Sequence, residues 1–222
     1  GSVPSEITKL EALTHMDLSD NAFTGNLPVG LNLMTPLTYL YLSNNAFTPG
    51  PMPEFRHLTR LQELSLKATG RTGDIPQSIG LLSELVLLDL DNNALTGPIP
   101  ETLGDLSKLR YLLLNRNSLT GSMPATLSGL QSIEYVLLYH NNMTGDAVPL
   151  CGSAGPPGPV AFVTDCVVSC DCCTECCTAG DSVCYNDDDL LANLDVSSSA
   201  SGYERTAYVF SEDIVFRTSN SL

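Results

Sequence analysis

The sequence has no tryptophan, few basic residues and no long apolar run. Its 222 residues include 25 acidic and 10 basic side chains, which give a formal charge of −15. Nucleic acids and anionic membrane surfaces attract positive potential, so this charge argues against both as partners. No apolar stretch approaches the roughly 20 residues that a membrane-spanning helix needs, so we predict no direct membrane insertion. With 43% hydrophobic residues, the chain can still bury a sizeable core.

Histidine is scarce, and its positions do not favour catalysis. His15 and His140 lie at opposite ends of the repeat region described below, and His57 lies in a connecting segment. None of the three can easily join a nucleophile and an acid in a catalytic triad. The sequence also has no phosphate-binding glycine loop and no zinc-protease motif. We therefore predict no catalytic residues, no cofactor and no bound metal.

A period of 24 residues runs through residues 3–149. Six units repeat the pattern L-x-x-L-x-L-x-x-N, and most continue into a second motif such as LTGPIP or LTGSMP. Repeat two carries one extra residue, in FTPGPMP, and the following stretch is one residue shorter. Thr69 occupies the asparagine position of the third unit. The predicted ladder of periodic asparagines is Asn21, Asn45, Asn93, Asn117 and Asn141.

The leucine pattern predicts short strands that stack into a solenoid. In x-L-x-L-x, alternate side chains point to opposite faces, so the leucines enter a core and the x residues form one open face. One unit cannot bury its leucines alone, whereas stacked units share a continuous core. Each asparagine amide can donate to and accept from the backbone of its own and adjacent coils. Thr69 offers only a hydroxyl, so we predict a weaker contact in repeat three.

The LTGPIP and LTGSMP segments between L-x-x-L-x-L-x-x-N units resemble the plant-type extracellular leucine-rich repeat family. This family includes receptor-kinase ectodomains and polygalacturonase-inhibiting proteins. The resemblance implies an α/β solenoid, right-handed and curved, of about six 24-residue repeats with a parallel β-sheet on the concave face. It also implies secretion or cell-surface display. No cysteine cap precedes the repeats, and VPSEITKLEAL already has the back half of a repeat, so we expect the solenoid of residues 1–150 to start mid-repeat.

All the cysteines follow the last repeat, where a cap belongs. They are Cys151, Cys166, Cys170, Cys172, Cys173, Cys176, Cys177 and Cys184. Secretion, as the resemblance implies, favours up to four disulfides in a C-terminal cap of residues 151–184. The pair Cys173 and Cys176 has the spacing of zinc ligands, but no second separated pair or nearby histidine completes a set. The pairing stays open. The dense cysteine cluster is similar to that of secreted leucine-rich repeat proteins from diatoms and related algae.

The x positions of the strands predict where a partner binds. The residues are Tyr39, Tyr41, Leu87, Tyr111, Leu113, Tyr135, Leu137 and Tyr139. The last six would form one contiguous apolar and aromatic surface, which soluble proteins rarely leave open without a partner. Tyrosine offers a stacking face and a hydroxyl, which suits a glycan or a protein hot spot. Two other interpretations stay open: the cap or the acidic tail covers this surface, or the tyrosines are simply good strand residues.

Two further segments yield smaller predictions. Asn142 begins the sequon NMT and is a candidate glycosylation site. Residues 185–222 form an acidic and serine-rich linker followed by a tail with two short β-prone runs, at 207–210 and 214–216.

The function predicted from these features is recognition without catalysis. We predict a secreted or cell-surface module that binds a protein, peptide or glycan on its concave face. The alternative is a structural subunit of a cell wall, an extracellular matrix or a larger assembly, which packs against neighbouring chains through the same surface. Fold alone does not decide between them.

Overall fold

The computed structural model describes residues 1–151, 159 and 161–178, and the structural statements below concern these residues. They form a solenoid in which successive coils contribute strands to one parallel sheet of eight strands, arranged in chain order. The strands are β1 (His15–Asp17), β2 (Tyr39–Tyr41), β3 (Glu63–Ser65), β4 (Leu87–Asp89), β5 (Tyr111–Leu113), β6 (Tyr135–Leu137), β7 (Ala161–Asp165) and β8 (Glu175–Cys177). The predicted solenoid is confirmed.

The leucine pattern explains how these strands are fixed. Residues 24 apart face each other across β1 to β6, as in the pair Leu88 and Leu112, so every repeat contributes in the same register. Because alternate side chains point to opposite faces, Leu112 and Leu114 enter the core with no exposed surface, while Tyr111 and Leu113 point to the other side. One continuous core therefore runs beneath the whole sheet.

The opposite side of each coil is built from short 3₁₀ helices and two-to-four-residue strands. The helices are Ser5–Lys9, Leu31–Leu33, Gln77–Leu81, Glu101–Asp105 and Ala125–Gly129. Four of the five begin directly after a proline, such as Pro100 with φ −67° and ψ 138°, whose backbone is extended as is typical of the residue before a helix. The outer strands are Thr24–Gly25, Ala46–Phe47, Gly50–Pro51, Arg71–Asp74, Ala94–Thr96, Thr120–Gly121 and Asn142–Met143.

Three of these helices stack so closely that glycine is required where they meet. A Cβ atom on Gly104 would lie 2.1 Å from the carbonyl oxygen of Thr126, and one on Gly80 would lie 2.3 Å from that of Thr102. The Thr126 hydroxyl donates to the Glu101 carbonyl across the same junction, at 2.7 Å. Backbone therefore packs directly on backbone along this side of the solenoid.

Periodic asparagines donate to backbone carbonyls of the preceding coil. Asn117 is typical: its amide nitrogen donates to the Leu90 carbonyl of the preceding coil at 2.9 Å and to the Leu114 carbonyl of its own coil at 3.1 Å. Its amide oxygen accepts from the backbone N–H of Leu95, at 3.0 Å. Four of the periodic asparagines serve backbone groups of two coils in this way, whereas Asn21 donates to the Leu18 and Ser19 carbonyls of its own coil. Buried backbone groups left unpaired would cost about 1–3 kcal/mol each.

Repeat three replaces the asparagine by a different arrangement. The Thr69 hydroxyl donates to the Leu66 carbonyl within its own coil, at 2.6 Å. The buried guanidinium of Arg71 donates to the Thr69 carbonyl at 2.8 Å and to the Thr48 carbonyl of the preceding coil at 2.7 Å, with a longer contact of 3.4 Å to the Pro51 carbonyl. Arg71 therefore makes the link to the preceding coil that Thr69 lacks, and it contacts the coil that carries the extra residue.

The cap continues the sheet, which the sequence pattern did not predict. β7 pairs with β6 and β8 pairs with β7, and the spacing of paired residues changes from 24 to 26 between Tyr135 and Ala161. Asp165 accepts the backbone N–H groups of His140 and Asn141, at 2.7 and 2.9 Å. A carboxylate can only accept, so Asp165 suits a coil end whose free groups are N–H donors.

Disulfides close this cap. The pairs are Cys151–Cys172, Cys166–Cys176 and Cys170–Cys173, with Cα atoms 5.4, 4.8 and 5.5 Å apart. Cys177 is also disulfide-bonded, whereas Cys184 lies outside the described residues. The predicted disulfide cap is confirmed for the described cysteines.

Two other observations bear on the sequence predictions. Among the helices of the described residues, none is long and apolar enough to cross a bilayer. The predicted linker and tail of residues 185–222, with their β-prone runs, lie outside the described residues.

Candidate partner-binding face

The strand face, meaning the outward side chains of β1 to β7, carries seven of the eight residues predicted to bind a partner. The eighth, Tyr139, lies two residues after β6. Tyr111 is paired with Leu87 on one side and with Tyr135 on the other, and Leu113 is paired with Leu137. The tyrosine rings of residues 111 and 135 lie 5.4 Å apart between centroids, in a stacked arrangement. The predicted contiguity is therefore observed in the structure.

We call the six-residue group on this face the aromatic cluster. Its members are Leu87, Tyr111, Leu113, Tyr135, Leu137 and Tyr139. They pack with one another and, towards the cap, with Ala161, Val163 and Cys177, separately from the leucine core. The apolar surface thus extends from β4 onto the cap strands, further than the repeats alone predicted.

The aromatic cluster is buried rather than open. Tyr139 is 1% exposed, Leu137 2% and Tyr111 5%, and only Tyr135 is half-buried. Tyr39 and Tyr41, nearer the start of the solenoid, are each 8% exposed. Apart from Tyr135, these side chains therefore do not form the open surface that we expected.

A polar belt separates Tyr39 and Tyr41 from the aromatic cluster. The Tyr41 hydroxyl donates to the Glu63 carboxylate. The hydroxyls of Ser43 and Ser65 lie 2.5 Å apart, and Ser65 donates to Asp89 at 2.8 Å. The predicted set of eight residues therefore forms two groups rather than one continuous surface.

Charged residues line the aromatic cluster on both sides. Arg116 binds the buried carboxylate of Asp91 through two nitrogens, with Nε at 2.8 Å, and Lys67 Nζ lies 3.3 Å from the same carboxylate. On the other side, Arg110 donates through two nitrogens to Glu134, both at 2.8 Å. The eight residues predicted to bind a partner did not include these charged residues, because the sequence alone does not show which charged side chains of different repeats become neighbours.

Both arginines also lie near tyrosine rings. The guanidinium carbon of Arg110 is 5.2 Å from the centroid of the Tyr111 ring, and that of Arg116 is 6.0 Å from the centroid of Tyr139. Cations at this distance are attracted to the ring face. These contacts help hold the tyrosines in fixed positions.

Asp89 is a buried acid on this face whose pKa is shifted. Burial raises the pKa of Asp89 to about 6, and the charge of Lys67 and the hydrogen bond from Ser65 oppose that rise. The folded protein therefore holds a proton on Asp89 at pH values where the unfolded chain has lost it. Stability contributed by this proton is present below the ordinary pKa of 3.8 and is lost as the pH rises towards about 6.

Asp89→Asn is accordingly expected to stabilise the protein at pH 8 by about 2 kcal/mol and to have little effect at pH 4, because the amide has no charge to desolvate. Urea unfolding at both pH values measures this difference. Asp17→Asn, a change of the same kind at an exposed position of the first strand, serves as the matched control. An equal gain at pH 4 and pH 8 would contradict the explanation.

Among the described residues, one group of potential metal ligands has atoms close enough to share an ion. It consists of the sulfurs of Cys151, Cys170 and Cys172, which lie within 4.8 Å of one another. These sulfurs already form the disulfides Cys151–Cys172 and Cys170–Cys173. Only a thiolate is a strong metal ligand, so the oxidised group is not a metal centre. Cys173 and Cys176, whose spacing suits zinc, are likewise each bound to a different cysteine.

Asn142 is exposed at the start of a short outer strand, where a glycan would be accessible to solvent. Its glycosylation stays a prediction.

Comparison with known proteins agrees with the repeat fold. Two descriptions of the leucine rich repeat family match the chain, one over residues 83–143 and the other over residues 12–34 and 36–58. A search of curated proteins found no match to the sequence.

Solved structures of plant receptors are similar to the described solenoid. The plant peptide hormone receptor RGFR1 in complex with RGF2 is 29% identical, with a TM-score of 0.69 over 74% of this chain and 27% of the receptor. PEPR1 with AtPEP1 is 30% identical, with a TM-score of 0.66, and the match covers 77% of this chain and 23% of the receptor. A third similar structure is the ectodomain of GASSHO1/SCHENGEN3 from Arabidopsis thaliana, in complex with CASPARIAN STRIP INTEGRITY FACTOR 2. It is 30% identical, with a TM-score of 0.56, and the match covers 77% of this chain and 25% of the receptor.

The chain spans about a quarter of the length of each of these receptors. The period, the asparagine ladder, the parallel sheet and the matched families all agree. The chain is therefore a leucine-rich repeat protein, and its solenoid is similar to the ectodomains of plant receptor kinases.

Proposed function

We propose that this protein is a recognition module, extracellular or on the cell surface, that binds an extended partner segment across the strand face without catalysing a reaction. The observation that carries the proposal is the aromatic cluster, whose apolar side chains are held in register on rigid strands. Such preorganised aromatic groups supply binding energy at little cost in side-chain entropy. The disulfides of the cap support an oxidising compartment.

A peptide is the ligand class that we favour. The similar receptors are described in complex with a peptide hormone or another named partner, and their solenoids share the strand arrangement of this chain. Neighbouring strands lie about 4.8 Å apart, so the path from Leu87 in β4 to Val163 in β7 is on the order of 14 Å. That length accommodates roughly four extended residues, each rising about 3.3 Å. A glycan of similar length is the second class to be tested.

Replacing Tyr111 and Tyr135 together by alanine is expected to weaken ligand binding at least about tenfold without unfolding the chain, because both rings lie on the strand face and not in the leucine core. The probe is a set of peptides selected from a random phage-displayed library on the unmodified protein, with a glycan array in parallel. Binding is measured by calorimetry, and folding by circular dichroism.

Leu33→Ala with Leu81→Ala is the matched control, since these exposed leucines lie on the helical side. It should leave binding unchanged. If the tyrosine variant instead changes the oligomeric state, measured by light scattering, the face packs against other chains and the protein is a structural subunit. If neither property changes, the assignment of the binding site to this face is wrong.

A further inference from the structure

Two disulfides of the cap have sulfur atoms that lie side by side. Cys151 is bonded to Cys172, and Cys170 is bonded to Cys173. The sulfur of Cys170 also lies within 4.8 Å of both sulfurs of the Cys151–Cys172 bridge. Disulfides exchange when a thiolate attacks one of their sulfurs. Once its own bridge is opened, Cys170 is therefore a nucleophile beside a second disulfide.

Backbone hydrogen bonds hold the two cysteine segments together independently of the disulfides. The N–H of Ala147 donates to the Ser169 carbonyl at 2.8 Å, and the N–H of Ser169 donates to the Gly145 carbonyl at 3.0 Å. Cys151 ends a short helix, and its N–H donates to the Ala147 carbonyl at 3.2 Å. Cys170 follows Ser169 directly in the chain. The two sulfurs therefore stay near each other when a bridge is opened.

The leucine core supports this region on one side, while its other side meets solvent. Ala147 and Leu150 have no exposed surface, Val168 is 4% exposed, and all three belong to the continuous core. The four cysteines of the two bridges pack against this core but are only partly buried. A small thiol in solution therefore has access to their sulfurs, and the packing beneath them does not depend on which sulfurs are joined.

We propose that the cap carries out thiol–disulfide exchange within itself, in which Cys151 changes its partner from Cys172 to Cys170. The trigger is a low-molecular-weight thiol, which bonds to Cys173 and releases Cys170 as a thiolate. That thiolate attacks the sulfur of Cys151, a Cys151–Cys170 bond forms, and the electron pair of the broken bond leaves on Cys172. The attack leaves the number of disulfides unchanged, so it needs no further oxidant or reductant.

Opening the other bridge leads to the same product. An external thiol that bonds to Cys172 releases Cys151, which attacks Cys170 and expels Cys173 as a thiolate. In both routes a second external thiol removes the first as its own disulfide. The product has a Cys151–Cys170 bridge and thiols on the adjacent residues 172 and 173. Residue 151 therefore stays tied to the cap whichever bridge is reduced, and this holds whatever the strand face binds.

Loop length favours attack on Cys151 over attack on Cys172. A Cys170–Cys172 bridge would join residues separated by Asp171 alone, and such short, stiff loops close poorly. A Cys151–Cys170 bridge closes a long loop much like that of the original Cys151–Cys172 bridge. The exchange therefore preserves the long loop at the end of the solenoid.

Variants with one unpaired cysteine test the exchange without an added thiol. Cys173→Ser leaves Cys170 unpaired. At pH 8 we expect the Cys151–Cys170 and Cys151–Cys172 bridges in amounts within about tenfold of each other, because the two forms differ only in the partner of Cys151. Acid quenching, alkylation and peptide mapping by mass spectrometry measure both. Cys172→Ser, which leaves Cys151 unpaired, should also form the Cys151–Cys170 bridge and be alkylated at Cys173.

Cys176→Ser is the matched control. It frees Cys166, whose sulfur is not in the group formed by Cys151, Cys170 and Cys172. The two original bridges of that group should remain unchanged in this variant, which shows that a free thiol elsewhere in the cap does not rearrange them.

The unmodified chain gives a second measurement that does not depend on the folding of a variant. After brief treatment with reduced glutathione at pH 8, we expect the Cys151–Cys170 bridge and alkylation at Cys172 and Cys173, while circular dichroism stays native. Alkylation at Cys170 and Cys173 alone would overturn the proposal, and so would resistance of both bridges to glutathione. A thiol that stays on Cys170 in the Cys173→Ser variant, or a Cys170–Cys172 bridge, would overturn it as well.

Discussion

Gly104→Ala is expected to lower the free energy of unfolding by about 3 kcal/mol, although the change adds a single methyl group. The new Cβ would lie 2.1 Å from the carbonyl oxygen of Thr126 and 2.5 Å from its carbonyl carbon, and both are backbone atoms of the next coil. Backbone cannot rotate away as a side chain can, so the two coils must separate. Overpacking of this kind costs about 1–3 kcal/mol or more. Urea denaturation followed by circular dichroism measures the change.

Gly73→Ala is the matched control for this variant. Gly73 has open space around its Cβ position, with no heavy atom within 4 Å, but its φ of +72° disfavours alanine. Its expected cost is about 1 kcal/mol, from backbone strain alone. Equal losses in the two variants would mean that the coils yield freely and that contact between their backbones does not limit the packing.

Arg71→Leu is expected to cost about 3 kcal/mol, even though leucine occupies the equivalent position in the following two repeats, at Leu95 and Leu119. The variant removes the donors that serve the Thr48 and Thr69 carbonyls, and buried acceptors left without partners cost about 1–3 kcal/mol each. Apolar packing by leucine returns only part of that loss. Thermal and urea unfolding of the variant measure the net effect.

A second change tests whether Arg71 stands in for the missing asparagine. Thr69→Asn in the Arg71→Leu background adds a different link to the preceding coil, from residue 69 to the Leu42 carbonyl as Asn117 makes to Leu90, so it should recover part of the lost stability. In the unmodified chain the same Thr69→Asn change should give no gain, because Arg71 already donates to the neighbouring carbonyls. If the two changes are additive, Arg71 and the ladder position are independent and the explanation fails.

The parts of this structure that repeat were predictable from the sequence. The 24-residue period places Leu112 and Leu114 in the core and Asn117 in the ladder, because each property depends on local spacing and recurs in every coil. The disulfide cap followed from the cysteine count and the predicted compartment.

The parts that occur once were not predictable. Arg71 looks like an isolated charge at an apolar position, and its partners Thr48 and Thr69 become apparent only when two coils are stacked. β7 joins the sheet after a change of spacing to 26, and the segment AFVTD has no leucine pattern to announce it. The shielding of Tyr139 depends on tertiary contacts, for which a pattern of alternating residues gives no signal.

The bonds of Arg71 have a consequence for how this array can change in evolution. Chains of identical repeats grow and shrink by unequal recombination, which succeeds when any unit can follow any other. Here the third unit needs the carbonyls of Thr48 and Pro51, which belong to the unit with the extra residue in FTPGPMP. A duplicated third unit would meet a neighbour without that insertion and would leave its buried guanidinium without those acceptors. We therefore expect units two and three to be retained together as a single block of two coils.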